Sequence, residues 1–496
     1  MQTLHCICMG RRVFPFQYSL FVVLGLALLC EAGCKRQDTA ATQNNQGQPQ
    51  PADAHAHQAQ FAGVVAEHDP AKRPLILSKP APNRRQWIVQ TLQQGYKDTG
   101  RTNAVWDKQV AGAFEAFADY SRVSTTNWPQ LKDALAAVQA TPCDDPMMVY
   151  MRVRYQESVQ PETQTASGYE RAHEAMVKSQ YHPLFKFFAG LRSVQSGRTA
   201  NKTGRGPAME RTMIDLEDLA RDTNAPVDEV FESASMWIQH SHTKDWINFV
   251  TGDLEPILKR SYGTTERWFR FEGETEVVRA WGDRGGGWAN SVTEKGWEGF
   301  AEHLDKAEGF LTNAWQMNSN NAYTAYLMMK VELGQGRGRS RMELWFNRAM
   351  ALAPDDYDAA QLMGYYLEPR WHGSDATALA FARSCVTSKK YAGQVPLVLA
   401  DLHRSLAKFP QMTNSPAYWR QPHVWPDIKA SYDRFFALNR DAAGWRHNYA
   451  RDAYDCGQYA VFLEQTKLFA YGTNYGFFGG QAQFEQMLQT ASSAQK

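Results

Sequence analysis

A short segment of this chain recurs 35 positions on, at the junction between two helical patterns. Ala314-Trp-Gln-Met-Asn-Ser-Asn-Asn321 becomes Ala349-Met-Ala-Leu-Ala-Pro-Asp-Asp356. In both copies a small and an apolar residue close a helix and a short polar break follows. A new helix then opens, with Ala325, Leu327 and Met328 in the places later taken by Ala360, Leu362 and Met363. A helix-turn-helix unit that cannot bury its own apolar face stacks on its neighbour, and a period in the thirties marks that stacking. The pattern predicts an all-α chain of helical-hairpin repeats. It specifies no chemistry.

The amino terminus gives an address. Arg11 and Arg12 form a basic start, and Ser19 to Leu29 is an apolar run shorter than the about 20 residues a membrane-spanning helix needs. Ala32-Gly33-Cys34 resembles the end of a bacterial lipobox, which would place a diacylglycerol on the Cys34 thiol. Glu31 departs from the leucine that motif prefers. Cleavage after Ala32 with free secretion, or an uncleaved anchor, are the alternatives. Residues 1–33 read as a lipoprotein-type signal peptide and 34–69 as a tether, so the expected location is the cell envelope, anchored by lipid. Between Lys35 and Gln60 the only apolar side chains are alanines, too little to offset the entropy of ordering. His55 and His57 lie in that stretch without a scaffold or a third ligand, so they read as solvated rather than metal-binding.

From about Pro70 the composition changes. The whole chain is 43% hydrophobic and 12% aromatic with 15 tryptophans, enough to build large cores. A formal charge of +1 argues against nucleic acid, which calls for a dense basic face. Cys143, Cys385 and Cys456 read as buried thiols. Three regions follow: helical hairpins over 70–255, a central repeat domain over 256–410, and a carboxyl-terminal hairpin region over 411–496. Trp106, Val110, Ala113, Phe114, Phe117 and Tyr120 trace one helical face behind an Asn103 cap. Asp145-Pro146, Pro183 and Pro226 start further helices. Arg267 to Ala280 alternates briefly as a strand would, but helix is the favoured reading. After Leu438-Asn-Arg-Asp441, a helix through Trp445, Tyr449 and Ala453, a Cys456-Gly457-Gln458 turn and a second helix through Tyr459, Phe462 and Leu468 match a tetratricopeptide unit. Lys330 departs from that repeat, standing where it prefers a small residue.

The block from Trp281 to Leu402 resembles an uncharacterised bacterial lipoprotein-type family with a tetratricopeptide-like domain of unknown function. The residues that carry the resemblance are Ala280-Trp-Gly-Asp-Arg-Gly-Gly-Gly-Trp-Ala289, Trp345-Phe-Asn-Arg-Ala-Met350, Tyr366-Leu-Glu-Pro-Arg-Trp-His-Gly-Ser374 and Leu379-Ala-Phe-Ala-Arg383. Asp144-Asp-Pro146 and Tyr181-His-Pro-Leu184 fit its amino-terminal half. The resemblance implies a fold and no activity.

Chemical motifs are missing. The chain has no His-Glu-x-x-His, no Gly-x-Ser-x-Gly and no phosphate-binding Gly-x-x-x-x-Gly-Lys-Ser/Thr. Gly334, Gly336 and Gly338 read as a helix–helix turn, His240 and His242 as a solvated pair, and Glu272, Glu274 and Glu276 as charged surface unless they fold into a cleft. No metal or cofactor is expected.

Two loops remain as candidates. Arg284 and Trp288 flank a run of three glycines, and Arg370 and His372 flank Trp371. Arginine and tryptophan join planar stacking to fixed donors, the combination favoured in recognition. The structural alternative makes both loops locks, with tryptophans plugging the core and arginines capping helix ends. Trp371 reads as a core plug. Arg284 and Trp288 read as recognition residues on a mobile glycine backbone, whose loss would leave stability unchanged. The expected function is non-enzymatic: an envelope interaction module for a protein or peptide. Capture of a glycan by aromatic stacking is the alternative, and an envelope hydrolase is the third class.

Overall fold

The computed structural model describes residues 82–119, 128–159, 165–197, 206–240, 243–408, 415–439, 442–469 and 473–495. The signal peptide, Cys34, the tether, His55, His57, Tyr120, His242 and Asp441 lie outside them. The described residues form 21 α-helices and no strand. The first nine are α1 (Pro82–Asp98), α2 (Asp107–Asp119), α3 (Trp128–Gln139), α4 (Pro146–Val159), α5 (Ala166–Val177), α6 (Pro183–Gly197), α7 (Pro207–Arg221), α8 (Val227–Ile238) and α9 (Lys244–Tyr262). The central helices are α10 (Glu266–Arg284), α11 (Glu294–Met317), α12 (Ala322–Gln335), α13 (Arg339–Leu352), α14 (Tyr357–Tyr366), α15 (Asp375–Thr387) and α16 (Val398–Ala407). The chain ends with α17 (Ser415–Trp419), α18 (Val424–Leu438), α19 (Arg446–Asp455), α20 (Tyr459–Thr466) and α21 (Gln481–Ser493). Among the described residues no helix is long and apolar enough to cross a membrane.

Local chemistry sets the helix ends. Asp145 caps α4, its Oδ1 accepting from the Met147 amide at 2.9 Å and from the Tyr181 hydroxyl at 2.9 Å. Thr265, Thr293, Asn321, Asp356 and Ser374 cap α10, α11, α12, α14 and α15, each contributing about 1 kcal/mol. Asn103 acts differently from the expected cap: its side chain accepts from the Val105 amide, forming a turn four residues ahead of α2. The stretch read as a possible strand is the body of α10.

Both copies of the repeated segment close a helix with the same last backbone bond. The Asn318 amide bonds to the Ala314 carbonyl at 2.9 Å, and the Ala353 amide bonds to the Ala349 carbonyl at 2.9 Å. The same closure recurs at Ser388 to Ser384 (3.0 Å) and at Asn439 to Phe435 (2.9 Å). Ser384–Ser388 falls one full period after Ala349–Ala353, without likeness in side chains. The period then breaks, because a turn at Val395–Leu397 delays α16. The last hairpin forms as expected, with Gly457 left-handed at φ +75°. Trp445 sits in a short turn before α19, however, and Leu468 lies exposed beyond α20.

Successive helices pack as hairpins, and α10, α12, α14 and α16 also pack directly on one another in turn. They are the inner row of the stack; α11, α13 and α15 lie outside it. Two large cores result, one from Ile88 to Val278 and one from Val277 to Cys456, with a small third around Phe462, Phe478 and Phe484. The cores meet along α10, whose Phe271 and Val278 belong to the first while Val277, Ala280 and Trp281 belong to the second. Position 256, where the sequence placed a boundary, lies within α9. Gly273 lets α10 and α11 come close, since a Cβ there would sit 2.5 Å from Leu311 Cγ. Cys143, Cys385 and Cys456 are buried free thiols.

Candidate functional site

The end of α10 and the start of α11 make a corner that gathers most of the chemistry. Arg284, the last residue of α10, is ringed by indoles: its guanidinium carbon lies 5.6 Å from the Trp281 ring, 5.6 Å from Trp297 and 5.7 Å from Trp371. Its Nη1 donates to the carbonyls of Gly285 (3.1 Å) and Gly287 (3.2 Å). Burial lowers its pKa, with Tyr365 opposing. Arg284, expected as a recognition residue, is half-buried, with its guanidinium held among three indoles and tied to the glycine run. The loop expected to be mobile is also pinned by the Ser291 hydroxyl on the Trp288 carbonyl at 2.7 Å. Trp288 itself is 50% exposed, the most exposed large aromatic among the described residues.

The second loop is a lock. Arg370 stacks over Tyr365 at 4.6 Å, pairs with Glu368 at 2.6 Å and donates to Ser405 Oγ at 2.9 Å. His372 stacks on Tyr366 at 4.6 Å and reaches the Leu333 carbonyl at the end of α12, 3.3 Å away. Burial lowers its pKa, so it serves as a neutral donor between two repeats. Trp371 is half-buried, forming one wall of the Arg284 cage rather than a sealed core plug.

Glu272, Glu274 and Glu276 are all buried, which corrects the reading of them as charged surface. Glu274 points inward, accepting from Ser235 Oγ at 2.6 Å, from Gln239 and from Tyr323. Lys330 is buried nearby over the Tyr326 ring at 5.0 Å, and burial depresses its pKa against the pull of Glu274 and Asp358. The same row continues through Tyr357 on Asp401 and through Arg404, which holds Asp401, Tyr432 and both oxygens of Asp452.

Glu276 faces the opposite way and accepts from His303 Nδ1 on α11 at 2.6 Å and from Arg279 Nη1 at 2.6 Å. Burial alone would raise this carboxyl, but those two donors hold it below its ordinary range. Arg279 also bonds Glu255 Oε1 at 2.8 Å and Thr251 Oγ1 at 3.1 Å. Glu272, one turn back, has a buried Oε1 without a hydrogen-bond partner, and burial with the Glu255 charge pushes its carboxyl up to about 7. In front of this group opens a cleft of about 230 Å³ lined by Ile247, Asn248, Arg279, Asp283 and His303. On its wall His303 Nε2 lies 3.6 Å from Asp283 Oδ2, an ion-pair contact.

Sequence reasoning singled out neither Arg279 nor His303. The spacing Glu276, Arg279, Asp283 does mark one helical face, but only the α10–α11 pairing brings His303 onto it. His240, expected in a solvated pair, is half-buried and stacked on Trp237 at 5.7 Å. No group of three or more His, Cys, Asp or Glu among the described residues is placed to hold a metal.

Fold and corner together define an all-α helical-repeat protein with a clefted junction between its two cores. No model of a known protein family matches the chain, and no curated protein is significantly similar to it.

Proposed function

We propose that this protein is a non-enzymatic, envelope-anchored interaction module that takes a protein or peptide partner at the α10–α11 corner. One observation carries the reading: Trp288 stands half exposed on a loop fixed by Arg284. A rigidly presented indole is the kind of anchor on which binding energy concentrates. The inner row, where a repeat protein would ordinarily seat a peptide, is filled by its own ion pairs and tyrosines, so recognition falls to the corner. Co-purification from detergent-solubilised envelope tests this. A partner recovered with wild type and lost with Trp288→Ala supports the corner, and equal recovery refutes it.

Anchoring through Cys34 is the second part of the reading, supported by the lipobox-like Ala32-Gly33-Cys34. Cys34→Ala should move the protein from the membrane pellet to the soluble fraction. Glycan capture remains the alternative, favoured by the exposed Trp288 indole, and glycan and peptide panels on the purified protein separate the two.

A further inference from the structure

Arg284 spends only part of its hydrogen-bonding capacity on the fold. A guanidinium carries N–H groups on Nη1, on Nη2 and on Nε. Those on Nη1 go to the carbonyls of Gly285 at 3.1 Å and Gly287 at 3.2 Å. Among the described residues nothing accepts from Nε or Nη2, and neither nitrogen is sealed from solvent. Those two atoms form one edge of the guanidinium plane, the fork that matches both oxygens of a carboxylate. The indoles of Trp281, Trp297 and Trp371 stand around the cation, and loop carbonyls occupy Nη1. The Nε–Nη2 edge is the side left for a visitor.

No acid of the chain balances this charge among the described residues. Asp283, next in sequence, is in contact with His303 Nε2 at 3.6 Å, and Glu368 pairs with Arg370 at 2.6 Å. Burial lowers the Arg284 pKa, and the opposing pull comes from Tyr365 rather than from a carboxylate. The guanidinium stays charged even so. A cation partly withdrawn from water attracts an anion more strongly than one in open solvent. In the same cage the Trp281 indole is buried and its Nε1 donates to nothing, a second unmet donor. The loop that Nη1 holds at Gly287 carries the exposed Trp288 at its next position, so an apolar anchor and an anion fork belong to one corner.

We infer that the Nε–Nη2 edge of Arg284 receives a carboxylate of the peptide partner, in a site walled by Trp281, Trp297 and Trp371 and flanked by the Trp288 loop. A carboxylate is the anion that every unmodified peptide can carry, at its chain end or on an Asp or Glu side chain. The inference rests on the partner-binding reading and names what that partner would present.

Titration calorimetry on the full chain in detergent tests it. The probes are acetyl-Phe-Glu amide, its neutral Phe-Gln counterpart, acetyl-Phe-Ala with a free carboxyl end, and galacturonate. At least one peptide acid should bind saturably and at least about tenfold more tightly than the Phe-Gln amide. Tighter Phe-Glu points to a side chain and tighter Phe-Ala to a chain end, and either supports the fork. Arg284→Gln should erase the preference for acid over amide. Arg284→Lys keeps a cation in the cage but has no fork, and should lose at least about threefold of the preference. If wild type binds acid and amide equally, the inference is overturned whether or not either variant folds. A preference that survives intact in both variants overturns it as well, and galacturonate binding more tightly than both peptide acids overturns the peptide source. A Trp288-dependent partner together with no acid preference in wild type refutes the fork alone. An acid preference lost in Arg284→Gln with no Trp288-dependent partner refutes the partner reading alone.

Discussion

Two faces of α10 treat the same side chain in opposite ways. Glu274 lies on the inner face, closed in by Ser235, Gln239 and Tyr323, whereas Glu272 and Glu276 lie on the face that opens to the corner cleft. Two positions along an α-helix turn the side chain by about 200°, which suffices to send neighbours of one composition to different fates. A buried charge surrounded by its own donors holds a fold together, while one backed against a cleft can meet something from outside.

The sharpest way to break this contrast is to open the inner row. Arg404→Met leaves Asp401 and Asp452 without their cation, and should cost on the order of 3–5 kcal/mol in urea denaturation. A loss below about 1 kcal/mol would mean the inner row is not what holds the repeats.

Glu272 gives the opposing result on the cleft side. Its carboxyl rises from the ordinary 4.5 to about 7 on burial, so the folded state favours the protonated form. Stability from this group is complete below about pH 4.5 and is lost as pH rises through about 7. Glu272→Gln cannot ionise, so relative to wild type it should gain up to about 3 kcal/mol between pH 4.5 and pH 8, read from melts at both values. An unchanged difference between the two pH values would remove Glu272 from the cleft's chemistry.

Smaller effects test the cage. Trp371→Ala should cost about 2 kcal/mol, below the 3–5 of a sealed tryptophan, because one side faces solvent. Arg284→Ala should cost about 1 kcal/mol through lost cation–π contact and loop hydrogen bonds, where the sequence suggested no cost. Trp288→Ala should stay within about 0.5 kcal/mol, and a larger fall in melting temperature would make it a structural residue.

The all-helical fold was legible because helix ends carry local signals. Asn321 and Asp356 cap, Asp145 precedes Pro146, and Gly457 turns the last hairpin. The closure at Ser384–Ser388 was hidden because it uses only backbone groups, which any side chain permits. The corner was half legible. Arg284 and Trp288 stood out by type, but a cage of Trp281, Trp297 and Trp371 spans 90 residues and comes together only when α10, α11 and the loop after α14 meet. The burial of Glu272 and Glu276 was illegible for the same reason: nothing in a run of alternating glutamates says that a second helix will cover it.

Because α10 contributes to both large cores, it works as a shared axle rather than a linker. Neither half can shed its contacts without stripping one side of that axle, so heating the protein should give one calorimetric transition instead of two. A load applied at the amino-terminal side would pass through the first core into α10 and arrive at its last turn, where Asp283, Arg284 and the Trp288 loop are mounted.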